Sequence, residues 1–315
     1  MRLLVTRPLT VRASRAIRAA WDAEFRDNTP LTLAEARRAL AEYDAILPTL
    51  GDDFGAGAFA GPVRCRILAN FGAGYNHIDI AAAAAARVAV TNTPDVVTDA
   101  TADIAMTLIL MTARRAGEGE RLVRAGGWTG WMPTQMLGRQ VSGKTVGIVG
   151  MGRIGRAVAR RCHHGFGMEV VFHNRSPVPR LDLPARQMPD LEATLRACDV
   201  AVVAVPGGPA SHHLIGAAQL DALGPEGIVV NVARGDVVDE AALIDALQSG
   251  RIAGAGLDVY EREPAVPEAL RRLENVTLLP HLGTATEEVR TEMGLRALRN
   301  LQAFRNGAAL PDRVA

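Results

Sequence analysis

The sequence predicts an α/β protein of two domains whose strands run in parallel sheets covered on both faces. Three observations carry this. Short apolar runs alternate with amphipathic stretches from one end of the chain to the other, the pattern of strands joined by covering helices. The length, 315 residues, suits two domains at roughly 100–200 residues each. A glycine-rich turn, Gly150-Met151-Gly152-Arg153-Ile154-Gly155, stands where one apolar run gives way to a helical stretch.

Taken in order, residues 3–6 read as a strand and 12–21 as a helix. Thr32-Leu33-Ala34-Glu35 is a capping box, in which each end residue satisfies a backbone N–H of the other, and a helix through Ala41 follows. Short strands fit 45–47 and 66–69, and the alanine-rich stretch 80–87 is helical by propensity. A strand at 88–91 is ended by Pro94. Residues 99–115 form a long helix with Thr98 as its N-cap. Ile104, Met106, Leu108, Ile109, Leu110 and Met111 leave it little polar face, so it should be buried, at a junction between the domains. Gly and Pro make 126–133 a loop. A second series follows, with strands at 145–149, 169–173, 200–205, 227–232, 253–259 and 276–279 and helices that include 153–162 and 240–249. The helix at 285–304 is long enough to return the chain to its first domain.

Composition excludes several classes of function. Thirty-five basic and 34 acidic side chains leave a net charge of +1, with no footprint for nucleic acid or an anionic membrane. Aromatics are only 4%, too few for a base-stacking platform. The longest apolar run, 104–113, is half the ~20 residues a membrane helix needs. Three scattered cysteines without a CxxC pair fit a reduced, cytoplasmic setting. His163-His164 and His212-His213, read as helical neighbours, point about 100° apart, and His77 and His173 have no partner in sequence, so no metal is expected.

The glycine turn carries the first chemistry. In a strand–turn–helix context Gly150 permits the tight turn, Gly152 lets backbone approach a pyrophosphate, and Gly155 lets helix pack on strand. The helix start, with Arg153 and Ile154, offers N–H groups to the phosphates. The next strand ends in His173-Asn174-Arg175-Ser176, where an NAD site usually has a carboxylate for the ribose 2′-OH. Here Arg175 can pair with a 2′-phosphate while Asn174 and Ser176 add hydrogen bonds, so NADP is the expected cofactor and NAD the lesser one.

Further motifs occur in a fixed order: Thr91-Asn92-Thr93-Pro94, Thr98-Asp99-Ala100-Thr101-Ala102-Asp103, the glycine turn, Asn231-Val232-Ala233-Arg234-Gly235, Gly256-Leu257-Asp258-Val259-Tyr260, Glu263-Pro264 and Pro280-His281-Leu282-Gly283. With these, over nearly the whole chain, the sequence resembles the D-isomer-specific 2-hydroxyacid dehydrogenases. The run from Gly127 to Pro133 with Leu137-Gly138 looks most like their glyoxylate/hydroxypyruvate reductase branch.

The resemblance implies two doubly wound sheets: a Rossmann-like dinucleotide domain, 99–285, inserted in a flavodoxin-like substrate domain, 1–98 and 286–315. It implies a homodimer acting on a small 2-oxo acid, glyoxylate or hydroxypyruvate, with a larger 2-oxo acid or another small oxyanion as alternatives. It also implies a catalytic trio of Arg234, Glu263 and His281. The chemistry of each fits: imidazole is the natural acid for the developing alkoxide, a carboxylate orients the ring, and a forked guanidinium holds a carboxylate or polarises a carbonyl. By the same resemblance Ala73 and Gly74 bind the substrate with Arg234 and His281, and Thr98, Val205, Pro206, Ala233, Asp258 and Gly283 complete the cofactor contacts. The alternative of a different class is a dinucleotide-gated corepressor, which would bind a partner in a dinucleotide-dependent way without turning over any 2-oxo acid.

Overall fold

The apolar runs lack polar alternation because the strands they form are buried on both faces, the edge strands excepted. The computed structural model describes residues 1–315, which divide into two units: Met1–Val97 with Thr284–Ala315, and Thr98–Gly283.

The first unit begins with β1 (Arg2–Val5), α1 (Val11–Ala20), β2 (Asp22–Phe25), α2 (Leu33–Glu42), β3 (Ala45–Leu47), β4 (Ile67–Ala69), α3 (Ile80–Ala85) and β5 (Ala89–Thr91). Its sheet is fully parallel in the order β2-β1-β3-β4-β5, the flavodoxin-like arrangement. Leu4, Ile46, Leu68 and Val90 enter the core on one face. Leu3, Val5, Ala45, Leu47, Ile67 and Ala69 enter the core on the other. This is the period-two geometry of a strand applied to two cores. The edge strand β2, Asp22-Ala23-Glu24-Phe25, is not expected from the sequence, because its exposed acidic residues alternate with half-buried ones and give no apolar run.

The second unit comprises α4 (Thr98–Ala113), α5 (Ala116–Arg124), β6 (Thr145–Val149), α6 (Arg153–Arg160), β7 (Glu169–His173), β8 (Arg186–Gln187), α7 (Leu191–Arg196), β9 (Val200–Val203), α8 (Ala217–Leu223), β10 (Ile228–Asn231), α9 (Glu240–Gln248), β11 (Gly254–Leu257), α10 (Glu268–Arg271) and β12 (Val276–Leu278). The chain closes with α11 (Glu287–Arg305), whose Ala297, Leu298 and Leu301 complete a core of the first unit. The second sheet is also parallel, in the order β12-β11-β10-β9-β6-β7-β8. The chain winds outward from β6 in both directions, as in a Rossmann sheet. Register places Val149 opposite both His173 and Val203, so the strands end level beside the glycine turn. Val146, Ile148, Val200, Val202, Ile228 and Val230 face one core. Val149, Val171, Ala201, Val203 and Val229 face the other.

α4 owes its apolar circumference to the second unit itself: Leu108 and Ile109 are fully buried where it packs on β10, β11 and α6. Thr98 is its first helical residue and so does not stand before the helix as a cap. α5 is not evident from the sequence, since Gly117 and Gly119 lower the propensity of a nine-residue helix.

Candidate active site

Every residue singled out for chemistry in the second unit follows the carboxyl end of a strand or opens α4. In open α/β sheets that edge is where ligands bind.

The glycine turn after β6 shows why each glycine is needed. Gly150 has φ 99°, and a Cβ there would lie 2.7 Å from the Cγ1 of Val205. A Cβ on Gly155 would lie 2.1 Å from the Gly150 carbonyl oxygen, so only glycine lets α6 sit this close to the turn. A Cβ on Gly152 would meet nothing within 4 Å, which leaves that side open to a ligand. Gly152 is the N-cap of α6 and supplies no side-chain acceptor to the first turn of the helix, which suits that turn to a phosphate. Val205 and Pro206 follow β9, and the Ser211 hydroxyl fixes the Pro206 carbonyl at 2.7 Å. The turn therefore fits a dinucleotide pyrophosphate.

After β7, the Asn174 Oδ1 accepts from the Met151 N–H at 2.7 Å, which ties this strand end to the glycine turn. Arg175 and Ser176 are exposed beside it. No carboxylate occupies 174–176.

The three residues expected to be catalytic come from three successive strand ends. His281, after β12, has its Nδ1 2.8 Å from the Glu263 Oε2. Glu263, in the segment after β11, also accepts the Tyr260 N–H at 3.0 Å on Oε1. Burial works to raise the Glu263 carboxyl. The hydrogen bond and charge of His281, the Tyr260 N–H and the Arg234 guanidinium outweigh it and hold the group below the usual carboxylate range. Arg234, after β10, is deeply placed: burial pushes its guanidinium down, against the charges of Glu263 and Asp236. Its Nη1 donates to the Ala233 carbonyl at 2.7 Å, and Asn231 braces the bend by donating to the Arg234 carbonyl and accepting from the Ala233 N–H. A Cβ on Gly207 would lie 2.7 Å from the Arg234 Cγ, so that glycine makes room for the side chain.

Asp258 proves to be an anchor. Its carbonyl accepts the His281 N–H at 2.9 Å, and its carboxylate accepts from Leu282 at 2.6 Å and Gly283 at 2.8 Å. Burial pushes the Asp258 carboxyl up, against those two backbone bonds. These bonds hold His281 at φ 54°, a left-handed conformation uncommon outside glycine. Thr101, in the first turn of α4, donates to the Gly283 carbonyl at 3.2 Å.

In the first unit, Ala73 and Gly74 lie in the loop after β4. The Asn70 Nδ2 donates to the Gly72 and Gly74 carbonyls, and Asn92 donates to that of Ala73. No hydrogen bond within the chain occupies the Ala73 or Gly74 N–H, which suits the pair to an anion. The bracing roles of Asn70, Asn92, Asn231 and Gly207 are not evident from the sequence, although Asn92 and Asn231 lie within the quoted motifs.

The histidine pair His212-His213 lies in a turn, not on a helix, and its rings stack 3.9 Å apart at 23°. His213, at φ 49°, pairs with Glu261, which raises its pKa. Although His212, His213 and Glu261 gather ligand atoms within 4.8 Å, near-parallel rings do not aim their in-plane lone pairs at one point.

Comparison with known proteins decides the family. Residues 106–283 match the family model described as D-isomer specific 2-hydroxyacid dehydrogenase, NAD binding domain. The chain belongs to this family. It is accordingly an NAD(P)-dependent oxidoreductase with a small-molecule substrate, and its second unit binds a nicotinamide dinucleotide. A glyoxylate reductase of Thermococcus onnurineus is 41% identical over 99% of this chain and 95% of its own. A glyoxylate reductase of Thermococcus gammatolerans is 46% identical over 87% of this chain and 83% of its own. Among solved structures, an NADPH-dependent glyoxylate/hydroxypyruvate reductase from Sinorhizobium meliloti, in complex with NADP and malonate, superposes with a TM-score of 0.90. It is 37% identical and covers 100% of this chain and 96% of its own. No helix is long and apolar enough to cross a membrane.

Proposed function

We propose that this dehydrogenase reduces glyoxylate or hydroxypyruvate to the D-2-hydroxy acid, prefers NADPH, and works as a cytoplasmic homodimer that binds neither nucleic acid nor membrane. The single observation that carries the reading is the 2.8 Å pair of His281 and Glu263, grouped electrostatically with Arg234 on the strand ends that also carry the glycine turn.

The geometry supports the following roles. Arg234 stays charged, since a guanidinium does not lose its proton in proteins, and would hold the substrate carboxylate or polarise its 2-oxo group. The N–H groups of Ala73 and Gly74 would receive the carboxylate. Glu263 engages Nδ1 of His281 and thereby leaves Nε2 to face the substrate. In the protonated ring both nitrogens carry hydrogen, and Nε2 gives its proton to the alkoxide oxygen while Nδ1–H stays with Glu263. The neutral ring is left in the tautomer that serves as base for the reverse reaction. When bound, the reduced nicotinamide supplies the hydride that reaches C2. Gly150, Gly152, Arg153, Ile154 and Gly155 would hold the pyrophosphate, Arg175 with Asn174 and Ser176 the 2′-phosphate, and Thr98, Val205, Pro206, Ala233, Asp258 and Gly283 the rest of the cofactor.

Initial rates with glyoxylate, hydroxypyruvate, pyruvate and phenylpyruvate, each with NADPH and NADH, test the reading. The highest kcat/KM is expected for the first two with NADPH. A clear preference for phenylpyruvate, or equal efficiency with NADH, would overturn the substrate or the cofactor part respectively. Dinucleotide-dependent capture of a partner without any turnover would favour a corepressor.

A further inference from the structure

β8 is two residues long, and its second residue makes three hydrogen bonds to one turn. The Gln187 Nε2 donates to the Ser176 carbonyl at 3.1 Å and the Asn174 carbonyl at 3.4 Å, while its Oε1 accepts from the Val178 N–H at 3.0 Å. No other hydrogen bond within the chain reaches these three backbone groups. The turn is thus held at its start by Asn174 on the glycine turn and along its length by Gln187. Between those fixed points stand Arg175 and Ser176, both exposed. An exposed five-residue turn without such a brace would have to be ordered when a ligand binds, at a cost in conformational entropy.

We propose that Gln187 is a positioning residue for the ribose 2′-phosphate: it fixes the backbone from which Arg175 and Ser176 present their groups. This rests on the NADPH reading above. The brace matters for a ligand that draws on Arg175 and little for one that ends in a 2′-hydroxyl. Its three side-chain hydrogen bonds all go to backbone and it adds no charge, so its influence passes through the turn.

The test uses Gln187→Met, which keeps the length of the side chain and removes all three bonds, with Arg175→Ala and the double variant. Gln187→Ala serves as the second variant should Met disturb the edge strand. KM and kcat are measured with NADPH and NADH. Loss of three exposed hydrogen bonds, some of it recovered by water, should raise KM for NADPH about fivefold. KM for NADH should change less than about twofold, and kcat at saturating NADPH should hold. In the Arg175→Ala background the Gln187 change should add little, because neighbours acting on one group are not additive. An equal rise for both cofactors, no rise, or a full effect without Arg175 would overturn the assignment. If the wild type prefers NADPH and loses that on Arg175→Ala while Gln187→Met changes nothing, the Gln187 assignment alone fails. If the wild type prefers NADH and Arg175→Ala changes nothing, both fail together.

Discussion

His281 is held in an uncommon backbone conformation by three hydrogen bonds to one residue, Asp258, and its ring is held by Glu263. Strain fixed this firmly at a strand end is often part of a mechanism. His281→Ala should lower kcat by about two to four orders of magnitude, the range of general acid catalysis, with the fold retained by circular dichroism. Glu263→Gln keeps an acceptor for Nδ1 but removes the charge, so it should lower kcat less. Near-wild-type turnover in His281→Ala would sink the assignment. The glycine turn allows a sharper contrast. Gly155→Ala forces a Cβ to within 2.1 Å of the Gly150 carbonyl, so both Tm and dinucleotide affinity should fall. Gly152→Ala meets no atom within 4 Å and projects only into the open side, so affinity should fall at an unchanged Tm. Titration of dinucleotide by fluorescence, beside thermal melts, checks the pair, and equal Tm losses would refute it.

At the scale of elements, the capping box that opens α2 offers a measurement independent of the active site. The Thr32 hydroxyl accepts from the Glu35 N–H, and Glu35 accepts from the Thr32 N–H at 2.9 Å. That backbone bond, with the Thr32 hydroxyl and Arg26, lowers the Glu35 carboxyl to about 2. A depressed carboxylate stabilises the fold above its unfolded value of 4.5 and loses that contribution as pH falls towards about 2. Thr32→Ala should cost ~1 kcal/mol in urea unfolding at neutral pH. Glu35→Gln should make the stability less sensitive to pH between those two values, and an unchanged acid profile would argue that the box does not persist in solution. This box was legible in four consecutive letters, and so were the strands, because a two-sided core demands apolar runs. β2 and β8 were not, being short, polar edge strands, and α5 hides behind two glycines. The same distinction holds in the site. Arg234, Glu263, His281 and the three glycines announce their chemistry by residue type at strand ends. The braces Asn70, Asn92 and Gln187 act on backbone groups whose position depends on the fold, and residue type alone does not mark them as braces.

For the whole molecule, the near-balance of 35 basic and 34 acidic side chains means that association cannot rest on a strong overall field. Under the homodimer proposal, the candidate contact is then sought in exposed apolar area rather than in net charge. The second unit concentrates that area in one segment: Val123, Trp128, Trp131, Met132 and Leu137 are all more than half exposed. Leu137 also lines a groove of about 870 Å³ with Met111, Thr112 and Arg139. Exposed large apolar residues this close in sequence are the candidate contact for the homodimer proposed above. Two identical surfaces related by a two-fold axis close on each other without leaving a free copy of the patch. Light scattering at micromolar concentration should therefore report twice the 33.4 kDa chain mass. The association should be nearly insensitive to salt, because burial of apolar area is not screened. Trp131→Glu combined with Leu137→Glu should yield a monomer, since two carboxylates would then be buried against their own copies. A wild-type monomer, or a dimer untouched by the double change, would show that this patch has another purpose.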